Sequence, residues 1–527
     1  MHQEIRNRVV QMMRKEISQR SKSESNLNLN LNLNLNLNLN PDTPHNLNSW
    51  ILLKGGVQKT MYASDNDILF RQESYFSYLF GVREPGMWGA INIESGESYL
   101  FIPKLDENYA IWSGEIREVD YYKKHYLVNH AHYKNMMSEI LFGGTNDVSN
   151  LYLLEIRSDD KIYEAPDLSF LEISLREKIV EEKLELNKII DWILSPKEFN
   201  LFNIYFDDLM KKKVLVDKTL LVEILNESRS IKTSEEIKLM SWINKISSRA
   251  HVQLMKKCGE HARKHQMGVW VETLMEYQLE SIFLHEIYYH GGCRNVSYTS
   301  ICGSGVNSAV LHYGHSGSPN DSIIKDGELI LADMGAEYHT YGSDITCTFP
   351  SSGKFTPKQR QIYNAVLHVQ RQIIKIIKPG ILMRELDLYA KELILKQLKI
   401  LGIVRGSMDE LIKNKIVNLF MPHTIGHSLG IDAHDPYHGK LVLRENMVIT
   451  VEPGIYFINY IIQRALNDPD KSKYLNANLL RDYLDFGGVR LEDDIVVKAD
   501  DVINLTRVPR TIEEIEYVMN GGEWIIN

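Results

Sequence analysis

At 527 residues with 44% hydrophobic content, the chain is long enough to bury a large core spread over two or more domains. Its 60 Lys and Arg against 69 Asp and Glu leave a net charge of −9, which excludes an electrostatic case for nucleic acid or an anionic membrane surface. The four cysteines (Cys258, Cys293, Cys302, Cys347) are widely spaced, so no disulfide framework is expected and a reducing compartment fits.

Residues 2–20 predict a short amphipathic helix, with Ile5, Val9, Met12 and Met13 at helical spacing. Asn26 to Asn40 is a strict Asn-Leu alternation. Asn is depleted in strands and the repeat is low in complexity, so residues 21–49 are expected to form a loose insertion without chemistry. Folded sequence resumes at Trp50-Ile51-Leu52-Leu53. Short apolar runs at Tyr99–Ile102 and Leu151–Leu154 alternate with helical patterns, predicting an α/β domain with a mixed sheet over 50–232. Residues 171–199 read as an amphipathic helix. Thr233-Ser234-Glu235-Glu236 has the form of a helix start with a capping box, and a second domain, 233–527, is placed from there. No run of 18 apolar residues exists and no apolar stretch follows the first residues, so a cytoplasmic chain outside the membrane is expected.

The polar clusters fall in the second half. Leu329–Pro350 reads as a hairpin: an apolar run to Asp333, a polar turn, then a β-branched and aromatic run from Asp344. Alone, two solvent-facing Asp would be the better reading of it, with Glu337 and His339 exposed in the turn. Helices are expected at 356–378 and 383–402, separated by Pro379-Gly380. Then come Met421–Gly430 with His423 and His427, and Ala433-His434-Asp435. The strand Met447–Glu452 is followed by the strand Gly487–Val497, in which Arg490, Glu492 and Asp494 share a face by alternation.

Asp333, Asp344, Glu452 and Glu492 thus recur on predicted strands in apolar surroundings, where lone carboxylates are rare. His427 follows a Gly that allows close backbone approach. Four carboxylates and one imidazole exceed a tetrahedral zinc set and suit two hard divalent ions, Mn²⁺ the natural candidate. Such a pair can hold a bridging hydroxide and polarise a carbonyl. His423 and His427, four apart, lack the Glu of a helical zinc-protease pair and enclose a Gly, so that reading is rejected. His312 and His434, taken singly, read as ordinary hydrogen-bonded histidines.

The segments Leu69–Ser74, Phe80–Gly86, Ser300–Gly305, the hairpin, Phe420–His423, Thr450–Phe457 and Phe486–Arg490 together resemble the pita-bread (creatinase/aminopeptidase P) metallopeptidase family, specifically its eukaryotic cytosolic Xaa-Pro dipeptidases. The resemblance runs from about residue 50 to the C-terminus. It implies an α/β (α+β) fold with a creatinase-like N-terminal mixed-sheet domain and a C-terminal pita-bread domain with a curved antiparallel sheet. It implies Asp333 on one metal, Asp344 and Glu492 bridging two, and His427 and Glu452 on the second. Glu452, His423 and His434 would then be catalytic, and His312, Tyr298 and Arg490 would handle substrate or support the ligands. The reaction implied is hydrolysis of Xaa-Pro dipeptides by a metal-bridged hydroxide, in a homodimer. An Xaa-Pro aminopeptidase acting on longer peptides, or an inactive pita-bread binding module, are the alternatives. Residues 21–49, about 170–200 and part of 259–275 depart from the family pattern as insertions. The segment between His434 and Glu452 is shorter than in cytosolic Xaa-Pro dipeptidases and lacks the stretch carrying their carboxylate-anchoring arginine. In Asp435–Asn446, Lys440 and His438 are the expected replacements, with Arg444 pointing elsewhere.

Overall fold

The computed structural model describes residues 1–30, 48–142, 149–157, 162–163, 214–437 and 439–526. The chain divides into two compact units, Met1–Ser228 and Arg229–Asn527, a few residues from the boundary expected at Thr233. The expected helix at 171–199 and His438 lie outside the described residues.

In the first unit, helix α1 runs His2–Asn30, continuing past residue 20 into the first residues of the Asn-Leu tract; the rest of the tract lies outside the described residues. Ile5, Val9, Val10 and Met13 are buried on its inner face. Strands β1 (Asn48–Lys54), β2 (Trp88–Asn92), β3 (Ser98–Ile102), β4 (His130–Tyr133), β5 (Ser149–Leu153) and β6 (Val214–Asp217) form one mixed sheet in the order β4-β3-β2-β1-β5-β6. β1 is its pivot. It pairs antiparallel with β2, Trp50 opposite Asn92, and parallel with β5, Trp50 opposite Leu151. Trp50, Leu52, Trp88, Ala90, Phe101, Leu151 and Leu153 alternate onto one face and close a core with Met137 and Leu141.

The second unit opens on α2, Ser234–Gln266, which starts with a complete capping box: Glu236 N–H donates to Thr233 Oγ1, and the Thr233 amide donates to Glu236 Oε2 at 2.7 Å. All pairings between its strands are antiparallel. Strands β7 (Ile301–Ser304), β8 (Leu329–Asp333) and β11 (Thr346–Pro350) form one ladder, and β9 (Ala336–Tyr338) pairs with β10 (Tyr341–Gly342) in a second. The predicted hairpin is therefore two short hairpin halves joined at a bend. His339 and Thr340 turn it with φ of 50° and 68°, the left-handed pair that a two-residue connection requires. Helices α3 (Pro357–Ile376) and α4 (Met383–Ile400) match the expected pair. Strands β12 (Val448–Val451) and β13 (Gly454–Tyr456) are followed by β14 (Gly488–Arg490) and β15 (Asp493–Val497). The expected strand Gly487–Val497 is thus interrupted at Leu491-Glu492. All four cysteines are buried free thiols. No helix of the described residues is long and apolar enough to cross a membrane.

Candidate metal centre

Two backbone irregularities and one close approach bring the carboxylates together. β8 and β11 pair up to Asp333 opposite Thr346, so Asp333 ends a ladder while Asp344 lies within the bend beyond it. Glu452 leaves the end of β12, and Glu492 occupies the break between β14 and β15. His427 follows Gly426, where a Cβ would sit 2.1 Å from the Thr450 carbonyl oxygen; only glycine lets this loop lie against β12.

Metal-capable atoms of Asp344, His427 and Glu492 all lie within 4.8 Å of one another. His427 Nε2 is 3.5 Å from Asp344 Oδ2 and 3.5 Å from Glu452 Oε1. The other ring nitrogen, Nδ1, faces the Ser428 carbonyl at 3.1 Å, which can only accept; Nδ1 therefore carries the proton and Nε2 presents its lone pair to the carboxylates. Asp333 accepts from Tyr298 hydroxyl at 2.6 Å and from Arg490 Nη2 at 2.5 Å. Thr346 Oγ1 donates to Glu492 Oε2 at 2.7 Å. Tyr298, Asp333, Asp344, His427, Glu452, Arg490 and Glu492 line a cavity of about 720 Å³ together with His312, His423 and His434.

The electrostatics call for a cation. Burial, then the charge of neighbouring carboxylates, pushes the Asp344, Glu452 and Glu492 carboxyls well above the usual range. Burial, followed by the nearby His434, pulls His427 down to about 4, so its imidazole is neutral and free to ligate.

Residues 238–499 match Metallopeptidase family M24, and residues 6–152 match the Aminopeptidase P, N-terminal domain. An Xaa-Pro dipeptidase of Homo sapiens is 38% identical over 492 residues, covering 90% of this chain and 89% of the relative. A probable Xaa-Pro aminopeptidase of Botryotinia fuckeliana is 34% identical, covering 88% and 91%. The solved aminopeptidase PepP of Pseudomonas aeruginosa superposes with a TM-score of 0.68 at 27% identity, over 90% of this chain and 94% of that one. The chain belongs to metallopeptidase family M24. It is a hydrolase of that family, with the N-terminal and pita-bread domains the resemblance implied.

Membership of M24 implies divalent metal ions, and the donor set fits them. Oxygen donors dominate, the single imidazole has the ligating tautomer, and the mutual repulsion of the carboxylates is what a shared cation relieves. The M24 site also differs from the sequence reading at particular residues. Glu337, expected in an exposed turn, is buried and accepts from Asn295 Nδ2 at 3.2 Å, because β9 carries it inward. Lys440, expected to reach the substrate's carboxylate, is exposed and is not among the residues lining the cavity. Arg444 points elsewhere, as expected: its Nη2 donates to Ser230 Oγ at 3.1 Å. Asp494 does not line the cavity; its Oδ2 accepts the backbone N–H of Asp344 at 2.9 Å.

Tyr456 was given no role by sequence. Arg490 Nη1 donates to its hydroxyl at 2.9 Å, and that hydroxyl faces His423 Nε2 at 2.9 Å. His423 Nδ1 faces the Thr424 carbonyl at 2.8 Å and so bears the ring proton, leaving Nε2 to accept from Tyr456. Gly454 makes room for the Tyr456 hydroxyl, since a Cβ there would meet it at 2.4 Å.

Proposed function

We propose that this chain is an Xaa-Pro dipeptidase, hydrolysing the imide bond of Xaa-Pro dipeptides to a free amino acid and proline. The reading rests above all on five groups of metal-ligating type, Asp333, Asp344, His427, Glu452 and Glu492, lining one cavity. Two divalent ions, Mn²⁺ the candidate, would be held with Asp333 on one, Asp344 and Glu492 between them, and His427 and Glu452 on the other. When bound, such ions polarise the scissile carbonyl and lower the pKa of water. Glu452, whose carboxyl is pushed upward by burial, takes the proton of the attacking water and returns it to the proline nitrogen as the C–N bond breaks. His423 stands beside this carboxylate, its Nδ1 at 3.8 Å from Glu452 Oε2 and its Nε2 tied to Tyr456, and faces the substrate from the cavity wall. Tyr298 and Arg490 hold Asp333 in place from two sides. His312 and His434, exposed at the cavity, bind the polar ends of the substrate. A cytoplasmic homodimer belongs to the same reading, taken from the resemblance.

An Xaa-Pro aminopeptidase is the second reading, favoured by one observation. No described residue of the segment 435–446 lines the cavity, so no basic side chain there supports closing the site on a dipeptide's carboxylate. The inactive binding module is disfavoured by the full set of ligand-type groups. Turnover of purified, Mn²⁺-loaded protein on Gly-Pro, Gly-Pro amide and a longer Xaa-Pro peptide tests all three. Preference for Gly-Pro is expected; preference for the longer peptide would replace the first reading by the second, and no turnover on any would leave the third.

A further inference from the structure

The helix α2 buries a polar stripe where a helix packed on a sheet ordinarily buries apolar side chains. Glu236, Asn244, Ser247, Ser248 and His251 are all at most 1% exposed, on the same helix as the buried Met240, Ile243 and Met255. Three members of the stripe grip the bent hairpin. Glu236 Oε1 accepts from Tyr341 hydroxyl at 2.8 Å. Ser247 Oγ lies 2.7 Å from Ser343 Oγ and accepts the Ala336 N–H at 3.1 Å. His251 Nε2 is 3.0 Å from the Met334 carbonyl oxygen, so Nε2 carries the ring proton and donates it. Ser248 differs: its hydroxyl accepts the N–H of Arg507, outside the hairpin.

The grip falls on the bend that carries both aspartates. Between the two ladders, Met334 N–H donates to Ile345 at 3.2 Å and Ser343 N–H to Ala336 at 3.1 Å. At Gly335 a Cβ would meet the Ser343 carbonyl oxygen at 1.8 Å, so the strands approach as closely as backbone allows. His251 Nδ1 is buried and has no hydrogen-bond partner among the described residues. A leucine would fill the space without burying that acceptor, so what histidine contributes is the bond to Met334.

We propose that His251 is a positioning residue for the metal centre: with Ser247, one turn earlier, it fixes the Met334–Ser343 bend and so the separation of Asp333 and Asp344. This rests on the metal-site reading above. The test is Mn²⁺ affinity of the full chain, measured by competition with a chelating dye, alongside the melting temperature of the chelated protein. His251→Leu is expected to weaken Mn²⁺ binding about 10–100-fold, the usual effect of losing a partner behind a ligand. His251→Gln, whose amide can donate to the same carbonyl, is expected to restore most of the affinity. Ser248→Ala serves as the control, lowering the melting temperature without changing affinity. Unchanged affinity in His251→Leu, or an equal loss in Ser248→Ala, overturns the proposal. Should His251→Leu not fold, Ser247→Ala takes its place against the same control, with the same two outcomes. Wild-type protein that binds no Mn²⁺ overturns the metal reading and this proposal with it; wild-type binding with unaltered variants overturns this proposal alone.

Discussion

Asp344 sits where removing one charge tells most. Its carboxyl is buried beside Glu492 and His427, and its backbone N–H is tied to Asp494, so Asp344→Asn keeps shape and anchoring while deleting charge. Metal affinity and turnover are expected to fall together by at least about 10–100-fold. Wild-type turnover on Gly-Pro after chelation and Mn²⁺ reloading would count against a shared ligand there. Tyr456→Phe asks a different question. The hydroxyl joins Arg490 to His423, so its loss strands a buried acceptor on the imidazole and one guanidinium N–H, at a cost of about 1–3 kcal/mol for each unsatisfied group. We expect lower kcat on Gly-Pro with Mn²⁺ affinity retained; unchanged kcat would remove Tyr456 from the site. The ligand-type residues were legible in sequence because carboxylates in apolar strands are conspicuous. Tyr456 was not, since a phenol on an apolar strand reads as core until Arg490 and His423 arrive from other segments.

At the scale of elements, the loop Gly430–Asp435 is held by a buried ion cluster that no spacing in the sequence suggests. Arg229 Nη2 is 2.6 Å from Asp435 Oδ1 and 2.7 Å from Asp432 Oδ2, and Lys232 Nζ is 3.2 Å from Asp435 Oδ2. A Cβ on Gly430 would lie 2.6 Å from Asp435 Oδ2, so the loop is folded tightly over this carboxylate. His434 precedes it directly, its ring centroid 4.2 Å from that of His427. Asp435→Ala removes the carboxylate that Arg229, which keeps Asp432, shares with the buried Lys232, and breaking such a buried pair costs about 3–5 kcal/mol. We therefore expect a lower denaturation midpoint for Asp435→Ala and a raised KM for Gly-Pro as His434 is released. An unchanged midpoint would show that the cations find other partners. The elements themselves followed from pattern: α2 from its capping box, α3 and α4 from apolar periodicity around Pro379-Gly380. The bend in the hairpin did not, because period-two alternation cannot register a ladder that changes partners at Asp333 and resumes at Ala336.

At the scale of the molecule, the two units follow the order of motifs in the chain, and the M24 match falls wholly within the second. What composition could not convey is the opposed titration stored inside that unit. His251, His423 and His427 are all pulled down to about 4, burial being the main cause, against an unfolded value of about 6.5. Between those values the unfolded chain binds more protons, so this contribution is present above about pH 6.5 and lost as pH falls towards 4. The carboxyls run the other way. Asp494 is pushed up to about 8, and Asp344, Glu452 and Glu492 also lie well above the usual range, again through burial first. For them the folded chain holds the extra protons, so their contribution is present below about pH 4 and lost as pH rises through the folded values. The chelated protein should therefore lose melting temperature from about pH 6.5 to 8. Divalent cations held as proposed would ionise Asp344, Glu452 and Glu492 against positive charge, which offsets the share of that loss these three carry, though not that of Asp494, and makes metal affinity climb with pH. The gain in melting temperature on Mn²⁺ loading is accordingly expected to grow across that range, read by calorimetry on chelated and loaded samples in matched buffers. A gain that stays constant with pH would mean that these carboxyls do not release protons when metal binds, and the ligand set proposed for them would have to be abandoned.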